Sequence, residues 1–482
     1  MPSVIVMLVN GARTGRFIAG LALVALCLVA GDVIARYPPT YVLGLTGLGA
    51  AVAVGWWNRG VLTGLLVLLL LEGVPFVHTQ LGSSTSQGAS ALNDAIFVAL
   101  VALLAFCVLG STRNRAQDRL ATLASFWASC YLAWWLYKIV VGSPGIPLFS
   151  AVSFGRDFLI FSLFLPLALL GIRRQVHLVG FATTLAVGAA IFSIGALAEQ
   201  ITHTQLSWLI HVNRVATYAG VTRIFAPMDD LLVAAFPAAL AATLLAPRAW
   251  RRPAMLLMVL TGLANALSLT RALYASELLA FFLISLAWSR GSGWRPRRIR
   301  YTVALGGLAA IAVTVVIAGA GVATTGNSLS PVQAVVSRAA LGVTNVQNQT
   351  GNVGYRLHEA HLELAVLGDS WVAGLGFLNP AYHYVPSLPE GSIRDVDLGS
   401  LSIVMTMGLI GLLLAYMPPI AGLAYLLRRR HSFVQYGGAM YLSAALIGSI
   451  TLGALATVSG LLVLGSMLVL CLNWTALTSS DT

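Results

Sequence analysis

Apolar blocks of about 20 residues, separated by polar connections, run along almost the whole chain. Fourteen can be delimited, at 17–36, 40–57, 60–78, 91–110, 119–141, 155–172, 177–198, 229–247, 253–270, 272–289, 301–322, 400–427, 434–454 and 457–475. At 1.5 Å per residue, about 20 residues is the length a helix needs to cross ~30 Å of hydrocarbon. Backbone groups in lipid must be bonded internally, and the blocks are far too long for barrel strands, so the pattern predicts helices. The expected fold is all-α, a polytopic transmembrane bundle of about fourteen spans. Its parts are spans one to eleven over 1–322, a large connection over 323–399, and spans twelve to fourteen over 400–482. No internal repeat is visible, and no pair of Gly/Pro-interrupted blocks falls at matching points of two halves.

Composition agrees with this reading. Hydrophobic residues make up 58% of the 482 positions and charged residues 9%, where a soluble chain carries about 25% charged. The net charge of +12 raises the question of nucleic acid, but its distribution answers no. Arg13 and Arg16 precede the first block, and Arg59 follows the second. Further along, Arg113, Arg115 and Arg119, then Arg173 and Arg174, then Arg248, Arg251 and Arg252 sit in the connections after blocks four, six and eight. Arg290, Arg295, Arg297, Arg298 and Arg300 follow the tenth block, and Arg428, Arg429 and Arg430 the twelfth. All of these are even-numbered connections or the N-terminal segment, so they fall on one side. The positive-inside rule makes that side the cytoplasm and puts both termini there. The first block lacks a small-residue cleavage site and reads as a retained helix. Cys27, Cys107, Cys130 and Cys471 all lie in apolar blocks, as small core residues rather than disulfide partners.

Most connections on the opposite side are short, but 199–228 and 323–399 are long, and long connections tend to be functional. The larger one starts rich in Gly, Thr and Ser, then shows a helical pattern over Tyr355–Leu367. There Leu357, Leu364 and Leu367 recur at helical spacing, with His358, Glu359 and Glu363 between them. This predicts an amphipathic helix resting on the outer face. His358 and His361 are three apart rather than the four of a zinc helix and read as part of its polar face.

Nine basic residues break the charge pattern or sit within blocks: Arg36, Lys138, Arg156, Arg214, Arg223, Arg271, Arg338, Arg356 and Arg394. Arg223 precedes span eight, Arg271 stands at the outer junction of spans nine and ten, and Arg356 opens the amphipathic helix. A guanidinium is always charged and grips phosphate with two parallel donors, so three at one face suit a lipid-linked diphosphate. Snorkelling to headgroups or pairing with a carboxylate is the plainer role. Asp229 and Asp230 cap span eight or orient Arg223. Asp395-Val396-Asp397 matches the Asp-x-Asp pattern of cation-binding transferases, but Arg394 adjoins it and no metal is expected.

The order of these segments resembles the O-antigen ligase/O-antigen polymerase superfamily of bacterial surface-polysaccharide assembly. That family's pattern is an Arg, an amphipathic helix, a Gly-x-Gly about eighteen residues on, and a polar residue leading into a helix with Gly-Leu-Ile-Gly. This chain has Arg356, Gly374-Leu375-Gly376, Asp397 and Gly408-Leu409-Ile410-Gly411. Ser268-Leu269-Thr270-Arg271 is similar to the family's Ser-Arg helix start, and the Arg223 segment to its Arg-containing loop. Ligase-type members carry His then Asn where this chain has Asp397-Leu398, so Asp397 looks more like the polymerase branch.

The resemblance implies a metal-independent, inverting glycosyltransferase of the bacterial inner membrane, with its active site on the extracytoplasmic face and no cofactor. Its donor would be an undecaprenyl-diphosphate-linked glycan and its acceptor a glycan or glycolipid; other partners would be membrane lipids. Arg223, Arg271 and Arg356 would bind diphosphate, supported by Asp229, Asp230, Gly374 and Gly376. Asp397 would be the acceptor base, with His383 a second candidate; the alternative role of Asp397 is to cap span twelve. From a different class, a lipid-linked oligosaccharide flippase is the competing reading. A reporter active only outside the cytoplasm should be active when fused near Asn348 and silent near Arg297. The reverse result at either site overturns this orientation.

Overall fold

A computed structural model describes residues 58–72, 86–109, 115–140, 148–202, 213–218, 221–225, 229–267, 271–289, 358, 360, 361, 363–365, 367–377, 399–428, 432–450, 455 and 457–478. All but Asn58 belong to one compact unit, Arg59–Thr482. The expected spans 17–36, 40–57 and 301–322 lie outside the described residues, and each of the other eleven contains a helix. These are α1 Arg59–Glu72, α2 Ser86–Leu109, α3 Arg115–Val140, α4 Leu148–Gly171, α5 Gln175–Thr202, α6 Asp229–Leu245, α7 Arg248–Leu267, α8 Arg271–Ser289, α9 Gly399–Arg428, α10 Phe433–Gly448 and α11 Val458–Thr478. Among the described residues three stretches, Gln175–Ala198, Gly399–Arg428 and Ser459–Leu477, are long and apolar enough to cross a membrane by length and composition.

One element departs from an all-helical fold. The connection expected at 199–228 contains an antiparallel hairpin, β1 Asn213–Tyr218 and β2 Val221–Phe225, with Ala216 opposite Arg223 and a bulge between Arg214 and Ala216. Its sequence explains it. Val215, Thr217, Tyr218, Val221, Thr222, Ile224 and Phe225 are β-formers, and only Ala219-Gly220 separates the two runs.

Helices α4 and α11 form the middle of the unit. Leu461 to Leu464 are all buried in succession, which a helix surrounded on every side requires. α4 packs against α2, α3 and α11, while α10 packs against α6, α8 and α9. Lipid offers no hydrophobic gain for helix association, so small residues that let backbones approach supply the contact. A Cβ on Gly60 would collide with the carbonyl of His177, and one on Gly437 would lie 2.9 Å from Cα of Ala238. At the start of α10, Ser432 Oγ accepts from the Gln435 amide at 3.3 Å while Gln435 Oε1 accepts from the Ser432 amide at 2.9 Å. This capping box satisfies two donors that would otherwise be orphaned.

Polar contacts between helix ends align α3, α4, α6, α9, α10 and α11. At one end, Arg173 just after α4 pairs with Asp118 of α3 at 2.6 Å, and Asn473 near the end of α11 donates to the Ile172 carbonyl at 2.9 Å. There too Gln435 donates to Thr475 Oγ1 at 3.0 Å. At the opposite end, the starts of α6 and α11 meet through Ser459 and Asp230, and the end of α10 meets the start of α9 through Ser400 and Ser449. Exposed Leu123, Phe126, Leu136 and Val140 on α3 and Leu256, Val259 and Leu263 on α7 give the sides an apolar surface. Gly60→Ala should force α1 and α5 apart at a cost of about 1–3 kcal/mol, read as a lower thermal midpoint in detergent. Gly262→Ala, whose Cβ would meet only the edge of Phe236 at 3.1 Å, should change that midpoint far less.

Candidate functional site

Helix α9 is not one continuous helix. Gly408 sits at φ 70°, ψ −174°, a region that only glycine enters readily. Gly408 lies nine residues from the start of α9 at Gly399, about 13 Å along the axis. A break there strands carbonyls and amides that the surroundings must bond.

The segment 367–377, downstream of the expected amphipathic helix, supplies those bonds. After a short 3₁₀ turn at Gly368–Trp371, the chain turns through Gly374 at φ 74° and Gly376 at φ 94°. The Leu375 amide donates to the Met405 carbonyl at 2.7 Å and the Gly376 amide to the Thr406 carbonyl at 2.9 Å. In return the Ile410 amide donates to the Val372 carbonyl at 3.4 Å. The backbones are so close that a Cβ on Gly374 would strike the Gly408 amide, and one on Gly408 the Val372 carbonyl. Gly374-Leu375-Gly376 and Gly408-Leu409-Ile410-Gly411, far apart in sequence, thus meet face to face.

One stripe of α3 completes the repair. Trp127, Tyr131, Trp134 and Lys138 fall on a common helical face. Trp134 Nε1 donates to the Met407 carbonyl at 2.9 Å, Tyr131 Oη to Met407 Sδ at 3.8 Å, and Lys138 Nζ to the Gly374 carbonyl at 2.9 Å. Farther down α9, Pro418 has no amide to offer the Leu414 carbonyl, and Trp127 Nε1 donates to it at 2.7 Å. Phe377, 1% exposed, wedges between α3 and α4 beside Trp135 and Phe158. Gly155 leaves room for it, since a Cβ there would lie 2.9 Å from its ring. Trp135 Nε1 donates to the Gly155 carbonyl at 2.6 Å.

The elements bearing other expected site residues gather at the same end of the unit. β2, which carries Arg223, packs against α5 and α7. Asp229 opens α6, and next to it Asp230 Oδ2 accepts from Ser459 Oγ at 2.7 Å. Arg271 opens α8. Between α7 and α8, Asn265 Nδ2 donates to Glu277 Oε1 at 3.2 Å and to the Leu232 carbonyl of α6 at 3.4 Å. For Arg223, Arg271 and Asp229 the backbone alone is described, and Arg356, His383 and Asp397 lie outside the described residues.

Three features of this end were not anticipated. Glu277 and Asn265 form a polar contact within the bundle. Lys138 holds the Gly374 carbonyl. Glu363 is fully buried while Leu364 is 53% exposed, so the helix turns a different side inward than the Leu357/Leu364/Leu367 stripe predicts. Leu367 does pack inward, against Met405, and His358 and His361 are exposed. The Leu periodicity carried no information about Glu363.

No family model matches the chain, and no curated protein matches it significantly.

Gly408→Ala tests the junction. Entering this backbone region costs a residue with Cβ on the order of 1–3 kcal/mol, and the collision with Val372 about as much again. The variant should lose several degrees of thermal midpoint or fail to accumulate. An unchanged midpoint would mean that 372–376 does not occupy the break.

Proposed function

We propose that this chain is a multi-pass glycosyltransferase of a bacterial inner membrane, with about fourteen spans and both termini cytoplasmic. It acts on the extracytoplasmic face, moving glycan from undecaprenyl diphosphate to a glycan or glycolipid acceptor. The observation that carries the reading is the contact between Gly374-Leu375-Gly376 and the break at Gly408. The two segments that ground the resemblance to the O-antigen ligase/polymerase superfamily bond to each other through their backbones. They do so at the end of the unit where β2 and α8 bring Arg223 and Arg271. The opposite end holds Arg59, Arg173, Arg248 and Arg428, the expected cytoplasmic charges.

The chemistry is set by the leaving group. As the bond from the sugar C1 to the diphosphate oxygen breaks, negative charge grows on the diphosphate, and fixed guanidinium groups stabilise it without a metal. Arg223, Arg271 and Arg356 take that role. The acceptor hydroxyl attacks C1 from the opposite face, inverting it, and gives its proton to Asp397, with His383 the second candidate base. Asp230, held by Ser459, gives the start of α6 a fixed position just after the Arg223 hairpin. Asp397 favours another lipid-linked repeat as acceptor, hence polymerase over ligase.

The break in α9 also favours a second reading, since interrupted helices line the substrate paths of transporters. Here, however, the chain's own 372–376 segment fills the gap, and among the described helices α9 alone has such a non-helical residue. A lipid-linked oligosaccharide flippase is therefore the alternative.

The test is transfer by purified protein from undecaprenyl-diphosphate glycan in EDTA. Arg271→Lys and Arg223→Lys keep the charge but lose the paired donors, and each should lower the rate about 10²–10³-fold. Arg338→Lys, outside every matched segment, should be near normal. Asp397→Asn keeps the capping ability and removes basicity, so it should be stable and inactive. Normal rates for both Arg271→Lys and Arg223→Lys would sink the diphosphate-clamp reading, and a strict need for Mg²⁺ would reassign Asp395 and Asp397 as ligands.

A further inference from the structure

Of 28 basic Lys and Arg residues in the chain, 27 are arginine and one, Lys138, is lysine. That one lysine is 2% exposed, near the end of α3, with Nζ 2.9 Å from the Gly374 carbonyl. A compact amine on a flexible stem can deliver a point donor to a single carbonyl in a tight space, where a planar guanidinium needs room for its fork. Burying an amine among apolar helices is costly unless its bonds justify it. The carbonyl it meets belongs to the glycine whose backbone abuts Gly408.

We propose that Lys138 is a positioning residue for glycosyl transfer, pinning the 372–377 segment into the break of α9; this role rests on the transferase reading. The geometry shows what the pin controls. Leu375 and Gly376 bond to Met405 and Thr406, and Phe377 is wedged against α3 and α4. In sequence the connection 378–398 follows, and α9 begins at Gly399. The start of that connection is therefore bonded to Met405 and Thr406 in the first half of α9. Lys138 and Trp134 reach this junction from one face of α3, one bonding the inserted segment and the other the Met407 carbonyl. Without the Lys138 bond, Gly374 loses its tie to α3 and the start of the connection is held from α9 and Phe377 alone. Gly374 and Gly376 support the diphosphate site in the proposed function, and a site displaced by about an ångström loses much of its rate although substrate still binds.

Two measurements test this. The first uses the single lysine as its own probe. In detergent-purified protein, Lys138 should resist reductive methylation by formaldehyde and a borohydride, read by mass spectrometry. It should become at least about tenfold more reactive in Gly408→Ala, where the segment is pushed from the break. Rapid methylation of Lys138 in the parent protein, or equal protection in both proteins, overturns the proposal. The second is kinetic. Lys138→Met keeps the length of the side chain, suits an apolar helix and removes the donor. It should insert with a thermal midpoint only a few degrees below the parent's, since one buried carbonyl loses its donor, lower kcat about tenfold or more, and leave KM for the lipid-linked donor within about threefold. Parent kcat in this variant overturns the positioning role. Should Lys138→Met fail to accumulate, the methylation result decides alone. If the parent protein itself transfers no sugar, the transferase reading falls, while methylation still shows whether Lys138 holds the segment.

Discussion

A backbone break inside an apolar bundle leaves amides and carbonyls with no water to bond, and at Gly408 the surrounding structure is arranged to meet them. Segment 372–376 supplies donors for Met405 and Thr406 and takes the Ile410 amide. Trp134 takes the Met407 carbonyl, and Trp127 the one that Pro418 leaves open farther down. Each of these partners constrains another element. The indole contacts fix the rotation of α3 against α9, because Trp127 and Trp134 must face it together. The inserted segment in turn fixes Phe377, which sets the spacing of α3 and α4 through Gly155. Local packing at this point therefore reaches four elements, and the glycines at 374, 376 and 408 are the residues that make the approach possible.

The positions of the helices were legible in the sequence because length and apolarity alone specify them. Eleven expected spans hold helices, with ends displaced by several residues where turns such as Ser86–Leu92 or Leu148–Phe154 continue the helix past the expected block. Which side of each helix faces inward was not legible. In a water-soluble helix polarity marks the outer face, but here inner and outer faces are both apolar, and Leu123 and Phe126 are exposed beside buried Trp127. The break at Gly408 was hidden for a similar reason. A Gly-Leu-Ile-Gly run reads as a small-residue packing face, and its left-handed backbone is selected by Val372 and Gly374 on another segment. The β1–β2 hairpin carried a local signal, two β-branched runs around Ala219-Gly220, that reading for apolar length passes over.

The candidate site divides along the same line. Arg223 and Arg271 stood out because they violate a charge pattern visible in one dimension, and the structure brings their backbones to one end of the unit. Glu277 and Asn265 violate no pattern, and only the approach of α6, α7 and α8 reveals that they meet. Lys138 stood out as a pattern-breaker, but its partner, a backbone carbonyl, has no signature in a sequence. One end of the bundle carries Arg59, Arg173, Arg248 and Arg428, and the other the repaired helix; in the proposed function the second is the frame for groups that meet a growing negative charge.

Transfer on the outer face is the central claim, and the lipid-linked glycans of a strain lacking this chain test it most directly. The account predicts that single repeat units, already on the outer leaflet, pile up on undecaprenyl diphosphate for lack of polymerisation; long chains stranded on the same carrier would assign the ligase role instead. Lipid-linked glycans indistinguishable from those of the parent strain, or repeats trapped on the cytoplasmic leaflet as loss of a flippase would leave them, would contradict it.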